Sequence, residues 1–240
     1  MFKGLILCLP RSDAIRYAGE YLQEIGLPVT EKCAPDVTHL LLPVPSFPTG
    51  DEYLAHILTD LPDDVIISGG NLTSPLLEYY RTVDFLQDPF YLCENAAITA
   101  QCAAQLISQR FPKPEGIQVL ILGWGRIGKC LGFLLRDTGF DVTIAARKVQ
   151  DLAMIHAIGF SSISTAHVHE VTRRAQVICN TVPNLILPNV QSPSDSLILE
   201  LASKPGITGS NIVSARGLPG KMAPRESGKL IAETFIRLSI

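Results

Sequence analysis

Gly123-Trp124-Gly125-Arg126-Ile127-Gly128 is the stretch whose residue types and spacing point most directly to chemistry. It fits G-x-G-x-x-G, and each glycine in that pattern has a physical task. Gly123 allows a tight turn, Gly125 lets a pyrophosphate approach the backbone, and Gly128 lets a helix pack closely on a strand. Unpaired N–H groups and the positive dipole end at the start of a helix complete an anion seat. Downstream, Ala146 is followed by Arg147 and Lys148. An NAD-preferring site usually carries Asp or Glu there, on the ribose 2′-hydroxyl. Two cations and no carboxylate at that point predict NADP(H), with NAD(H) as the alternative.

The glycine pattern means something only in context, and the context fits. Ile117 to Leu122 is a short apolar run suited to a buried parallel strand, and Asp141 to Ala146 is a second. Between them Ile127, Cys130, Leu131, Leu134 and Leu135 recur at helical spacing, and Gly139 supplies a cap. Further on, Gln176 to Cys179 reads as a strand running into Asn180-Thr181-Val182-Pro183, a small polar loop of the kind that borders the nicotinamide ribose. Strands over Ser161 to Ser164, Ser196 to Ala202 and Asn211 to Ala215, with helices after Lys148 and over Ala166 to Arg174, complete a doubly wound parallel sheet.

The first part of the chain is α/β as well. Strands are expected at Gly4 to Leu9, Pro28 to Lys32, His39 to Leu42 and Asp64 to Ser68. Ser12 or Asp13 caps a helix closed by Gly26. Glu52 to Leu61 reads as a helix, and so does the stretch after Gly69-Gly70-Asn71 to about Tyr80. Ligands on such sheets collect at the carboxyl ends of strands. This marks Arg11 and Ser12, the loop from Pro43 to Gly50, and Gly69 as candidate substrate-binding positions.

Glu94 to Phe111 is expected to be a connecting helix rich in small residues. Asn95 and Thr99 lie one turn apart on one face, placed for substrate polar groups, with Asn95 as a plain helix cap the competing reading. Pro112-Lys113-Pro114 then breaks the chain. The expected organisation is an N-terminal flavodoxin- or Rossmann-like substrate domain over 1–93, a connector helix over 94–113, a dinucleotide-binding Rossmann domain over 114–220, and a closing C-terminal helix over 221–240.

Composition sets outer bounds. The chain has 240 residues, 47% of them hydrophobic and 18% charged, with net charge −3, so no electrostatic field favours nucleic acid or an anionic membrane. No apolar run reaches membrane-spanning length, and Phe2 to Leu9 reads as a first strand, not a signal peptide. Six cysteines without a C-x-x-C pair fit a reducing cytoplasm, with neither zinc nor disulfides. His167-Val168-His169 has no further ligand cluster beside it, so no metal is expected.

Taken together, Gly123 to Gly128, Cys179 to Pro183, Ile198 to Gly206, and Gly217 to Gly220 with Ala223-Pro224 resemble the A-type subunit of dipicolinate synthase. Leu42-Pro43-Val44, Ser68-Gly69 and the Asn95 to Thr99 segment extend the resemblance into the first domain. It implies a two-domain oxidoreductase with a dinucleotide in its cleft, acting for endospores on a small cyclic dicarboxylate. The substrate would be 4-hydroxy-tetrahydrodipicolinate or dihydrodipicolinate, and the product dipicolinate. The partner it implies is the flavoprotein-like B-type subunit of dipicolinate synthase; a homo-oligomer is compatible with it. Where the family reads N-S-I-P-T-x-E-G, this chain has Asn95 to Cys102, with Gln101 in place of Glu and Cys102 in place of Gly. Two substrate carboxylates call for cations. Lys204 is the first candidate, then Arg11 and Arg216. The other readings are a 2-hydroxyacid dehydrogenase-like reductase, which the sequence disfavours by showing no His–carboxylate pair, and a dinucleotide-binding protein without catalysis, which Gln101 favours.

Overall fold

The computed structural model describes residues 2–47, 50 and 52–240. Pro48 and Thr49 of the marked loop lie outside them. The chain divides into two compact units, Met1–Asn95 with Pro219–Ile240, and Ala96–Leu218.

Among the described residues the first unit carries five parallel strands: β1 (Ile6–Cys8), β2 (Val29–Thr30), β3 (His39–Leu41), β4 (Ile66–Gly69) and β5 (Arg81–Asp84), in the order β2-β1-β3-β4-β5. This is a flavodoxin-like order, whose switch point lies between β1 and β3. Helices α1 (Asp13–Glu24) and α2 (Glu52–Thr59) follow β1 and β3. A core around Leu7, Leu40, Leu54, Ile57 and Ile67 is closed to solvent. The expected helix up to Tyr80 is a single 3-10 turn, Pro75–Leu77, capped by the Ser74 hydroxyl, and β5 follows it. Strand β5 escapes sequence reading because an edge strand with Arg81 and Thr82 exposed lacks the continuous apolar run of a central parallel strand.

Helix α3 (Pro89–Arg110) begins five residues before the expected start. Asp88 caps it, its Oδ2 accepting from the Tyr91 N–H at 2.7 Å, so Asn95 is an interior residue and not the cap. The contact division falls within this helix, after Asn95.

The second unit holds β6 (Gln118–Leu122), β7 (Asp141–Ala146), β8 (Ser161–Ser164), β9 (Val177–Asn180), β10 (Leu197–Glu200) and β11 (Ile212–Ser214). All pair in parallel, in the order β11-β10-β9-β6-β7-β8. That is the dinucleotide-fold order, with its switch point between β6 and β9. Helices α4 (Arg126–Asp137), α5 (Val149–Ala157) and α6 (His169–Thr172) connect the strands. The expected helix over Ala166 to Arg174 is broken into a 3-10 turn, Thr165–His167, and the short α6. Helix α7 (Leu218–Met222) leads into α8 (Pro224–Ser239).

Helix α8 belongs with the first unit. A Cβ on Gly228 would lie 2.5 Å from the Ala14 carbonyl oxygen and 2.6 Å from the Tyr17 Cβ, so a glycine is what allows α8 to lie on α1. Arg237 makes a paired ion bridge to Asp88 at 2.9 and 2.7 Å. At the far end His39 is buried between Phe2 and Phe235, ring centroids 5.1 and 5.7 Å away, with Nδ1 2.8 Å from the Thr38 hydroxyl. Burial lowers its pKa below the ordinary 6.5; a backbone hydrogen bond at Ser239 opposes this and the Arg81 charge adds to it. The unfolded chain therefore binds more protons than the native state below that value. Stability should hold above pH 6.5 and fall as the pH drops through the window beneath it. His39→Gln should flatten that part of a melting-temperature profile, and an unchanged slope would assign it to other groups.

Candidate functional site

The carboxyl ends of β6 and β7 open on a cavity of about 590 Å³, a volume within the usual range for small-molecule sites. Gly123, Trp124, Gly125, Ala146, Arg147, Lys148 and Val182 line it, so most of the residues assigned to a dinucleotide from sequence meet in one place. Gly123 has φ +104°, the left-handed conformation a side chain would strain. Gly125 is the N-cap of α4, with no side-chain cap bond and nothing within 4 Å of where a Cβ would stand. The amides of Arg126 and Ile127 thus begin the helix beside open space. At Gly128 a Cβ would collide with the Gly123 carbonyl oxygen, which makes the close approach of helix to strand obligatory.

Trp124 sits at the cavity wall with Phe160 6.1 Å from its ring and Lys129 Nζ 5.6 Å from it. Arg147 and Lys148 are exposed at the end of β7. Asp151, in the first turn of α5, and Thr165 line the same cavity, and sequence reading missed both. A carboxylate is therefore present near the two cations, supplied by the following helix and not by the strand end, where the motif directs attention.

The β9 loop departs from expectation. Asn180 is 0% exposed, and its side chain is engaged within the protein. Its Nδ2 donates to the Val182 carbonyl at 3.0 Å and to Glu200 Oε1 at 2.7 Å, and its Oδ1 accepts from the Val182 N–H at 3.0 Å. Thr181 turns back to the Leu122 carbonyl through its hydroxyl at 2.8 Å, so it braces the glycine turn. Pro183 is exposed beside Val182. Lys204 is exposed on the loop after β10.

In the first unit, Arg11 is exposed after β1 with its guanidinium carbon 3.4 Å from the centre of the Tyr53 ring, a stack not foreseen from sequence. Ser12 caps α1, its Oγ accepting from the Ile15 N–H. Pro43 and Gly69 meet in local packing around Ser46. The Ser46 hydroxyl donates to the Pro43 carbonyl at 2.8 Å and accepts from the Gly70 N–H at 3.0 Å, and a Cβ on Gly69 would lie 2.5 Å from that Oγ. Asn95 is half-buried and Thr99 buried along α3.

Other chemistries find little support. Burial pushes the Cys179 thiol up to about 12 and, with Glu31 adding, the Cys8 thiol likewise, so neither supplies a thiolate. His167 Nδ1 does lie 3.1 Å from Glu170 Oε1, a His–carboxylate pair the sequence did not suggest, but both side chains are mostly exposed and neither lines the cavity. Among the described residues no group of three or more His, Cys, Asp or Glu side chains is placed to hold a metal ion, and no helix is long and apolar enough to cross a membrane.

Residues 115–237 match the family model described as acetohydroxy acid isomeroreductase, NADPH-binding domain. The A-type subunit of dipicolinate synthase from Bacillus subtilis (strain 168) is 33% identical over 135 residues, 52% of this chain and 46% of that protein, so the chain matches about half the length of this curated relative. The crystal structure of the corresponding dipicolinate synthase subunit from Bacillus halodurans superposes with a TM-score of 0.80 at 20% identity, covering 98% of this chain and 97% of that one. The Bacillus subtilis dipicolinate synthase structure gives 0.78 at 21% identity, covering 99% and 96%. At such identities the structural matches establish the fold alone, two α/β units each built on a parallel sheet.

Proposed function

From the premise that this chain belongs to the acetohydroxy acid isomeroreductase NADPH-binding-domain family through residues 115–237, we propose an NADP(H)-linked oxidoreductase of the dipicolinate synthase type, in the role of its A-type subunit. Its substrate is a small cyclic dicarboxylate, dihydrodipicolinate or the 4-hydroxy-tetrahydrodipicolinate that loses water to form it. The product is dipicolinate, made for sporulation together with a flavoprotein-like B-type subunit in the cytoplasm. The observation that carries the reading is the open space beside Gly125 at the start of α4, on the same cavity as Arg147 and Lys148.

The residues present fit a dinucleotide. The α4 amides would hold the pyrophosphate, Arg147 and Lys148 the 2′-phosphate, and Val182 the ribose next to the nicotinamide. A bound nicotinamide would supply the hydride acceptor for the dihydropyridine ring, which must also lose a proton to become aromatic. What remains for the protein is placement. Lys204 is the first proposed cation for a substrate carboxylate, and Arg11, pre-oriented by stacking on Tyr53, is the candidate from the first unit. Asn95 and Thr99 are the proposed polar contacts from α3. The second reading, a dinucleotide-binding protein without turnover, draws on Gln101, an exposed amide on α3 where the dipicolinate synthase helix that this segment resembles carries a carboxylate.

Trp124 makes the test direct, because it is the one tryptophan in the sequence and it lines the cavity. Its fluorescence should be quenched on titration with NADPH, and less steeply with NADH. No change with either would reject the site. An absorbance assay with dihydrodipicolinate and NADP⁺, with and without the flavoprotein-like partner, then tests the chemistry. Turnover supports the enzyme; tight binding without turnover in both mixtures supports the silent dinucleotide-binding protein.

A further inference from the structure

Glu200 is 3% exposed at the end of β10, and both its oxygens are in use on the loops around the site. Oε1 accepts from Asn180 Nδ2 at 2.7 Å and from the Ala202 N–H at 3.1 Å. Oε2 accepts from the N–H groups of Gly206 at 2.8 Å and Ile207 at 3.2 Å. The carboxylate therefore pinches residues 202–206 into a short loop with Lys204 at its tip. Through Asn180 it also holds Val182, whose main chain pairs with that amide at both N–H and carbonyl. Gly206 completes the joint: a Cβ there would lie 2.5 Å from Asn180 Nδ2 and 2.6 Å from the carbonyl oxygens of Val182 and Asn184. Beyond Asn180, Thr181 carries the network to the Leu122 carbonyl, at the root of the glycine turn.

We propose that Glu200 is the positioning residue for the nicotinamide half of the dinucleotide site. A doubly wound sheet is two mononucleotide-binding halves. Here β6–β8 bear the glycine turn, Arg147 and Lys148, whereas β9 and β10 bear the two loops that Glu200 joins. Its effect falls on Val182 and on Asn184 to Ile186, which line the cavity, and on the place of Lys204. Arg147, Lys148 and the amides at the start of α4 make no contact with Glu200, and the adenosine half meets its effect only along the wall from Val182 to Ile186. A helix dipole or a lone cation cannot do this work. Four donors converge from two separate loops, and a carboxylate alone among side chains of this size offers acceptors to all of them.

This inference rests on the dinucleotide reading above, and its test separates the two. Wild-type protein is titrated calorimetrically with NADPH and with adenosine 2′,5′-bisphosphate, a probe of the adenosine half alone; binding of neither rejects the site itself. Glu200→Gln keeps the volume but turns an NH2 group toward one donor pair in either orientation. A buried donor left unpaired in this way should weaken NADPH about tenfold or more and the bisphosphate, which meets only the wall from Val182 to Ile186, by about threefold or less. Equal losses for both probes would mean general damage to the unit, and no loss for either would mean the loops are set by other contacts; each overturns the proposal. If the variant does not fold, the wild-type chain still decides. The N–H groups of Ala202, Gly206 and Ile207 should exchange slowly with solvent before any nucleotide is added, and fast exchange that slows only on adding NADPH would show that the ligand, not Glu200, orders these loops.

Discussion

Replacing Arg147 and Lys148 together by alanine should lower NADPH affinity by about a hundredfold at low salt and leave NADH affinity nearly unchanged. Each cation is a charge-assisted partner for a 2′-phosphate, worth about 1.5 kcal/mol at the lower end because both are exposed, or roughly tenfold apiece. Raising the ionic strength should shrink the difference, since solvent-exposed charges are screened within about 8 Å at physiological salt. Asp151 lines the same cavity with the opposite sign, so Asp151→Asn should move the preference further toward NADPH. Fluorescence titration of Trp124 with the two dinucleotides measures all of this. Equal losses for both ligands would mean that the pair serves the pyrophosphate or the fold and not the 2′-position.

Gly128→Ala should damage both the fold and the site. Its methyl would collide with the Gly123 carbonyl oxygen and lie 3.2 Å from the Gly123 carbonyl carbon, so the obstruction is backbone and cannot rotate away. Helix α4 must withdraw from β6, at a cost of about 1–3 kcal/mol for overpacking a close contact. The amides that face the cavity withdraw with it, and dinucleotide binding should be lost. Gly125→Ala is the informative contrast. Nothing stands within 4 Å of its Cβ and its φ is −83°, so the fold should lose only about 0.5–1 kcal/mol, the usual disadvantage of alanine against glycine at an N-cap. The methyl nonetheless enters the space beside the helix start, and binding should fall sharply. Chemical denaturation and calorimetry on the two variants separate these effects. Wild-type binding by Gly125→Ala would place the pyrophosphate elsewhere.

Gly123, Gly125 and Gly128 could be read from sequence because their spacing is local: strand, turn and helix are consecutive, and no other segment is needed to place them. The same locality hid Asn180. Its polar side chain at the end of a strand looks available in sequence, and only Glu200, twenty residues on, commits it internally. The surroundings of Gly69 were hidden in a related way, since the Ser46 hydroxyl that fills the space beside it comes from a different loop. Tyr53 gave no signal as the partner of Arg11, because cation–π stacking imposes no sequence spacing.

The amino-acid sequence by itself determined the alternation of strands and helices, the glycine turn, and the cationic end of β7. All of these follow from apolar periodicity and from conformational limits that act over a few residues. Tertiary structure decided the strand orders, the edge strand β5, the return of α8 to the first unit, and the joining of the β9 and β10 loops through Glu200. The reason is physical. A buried carboxylate or a close-packed glycine gains its meaning from atoms that chain folding brings near, and those partners leave no trace in local composition.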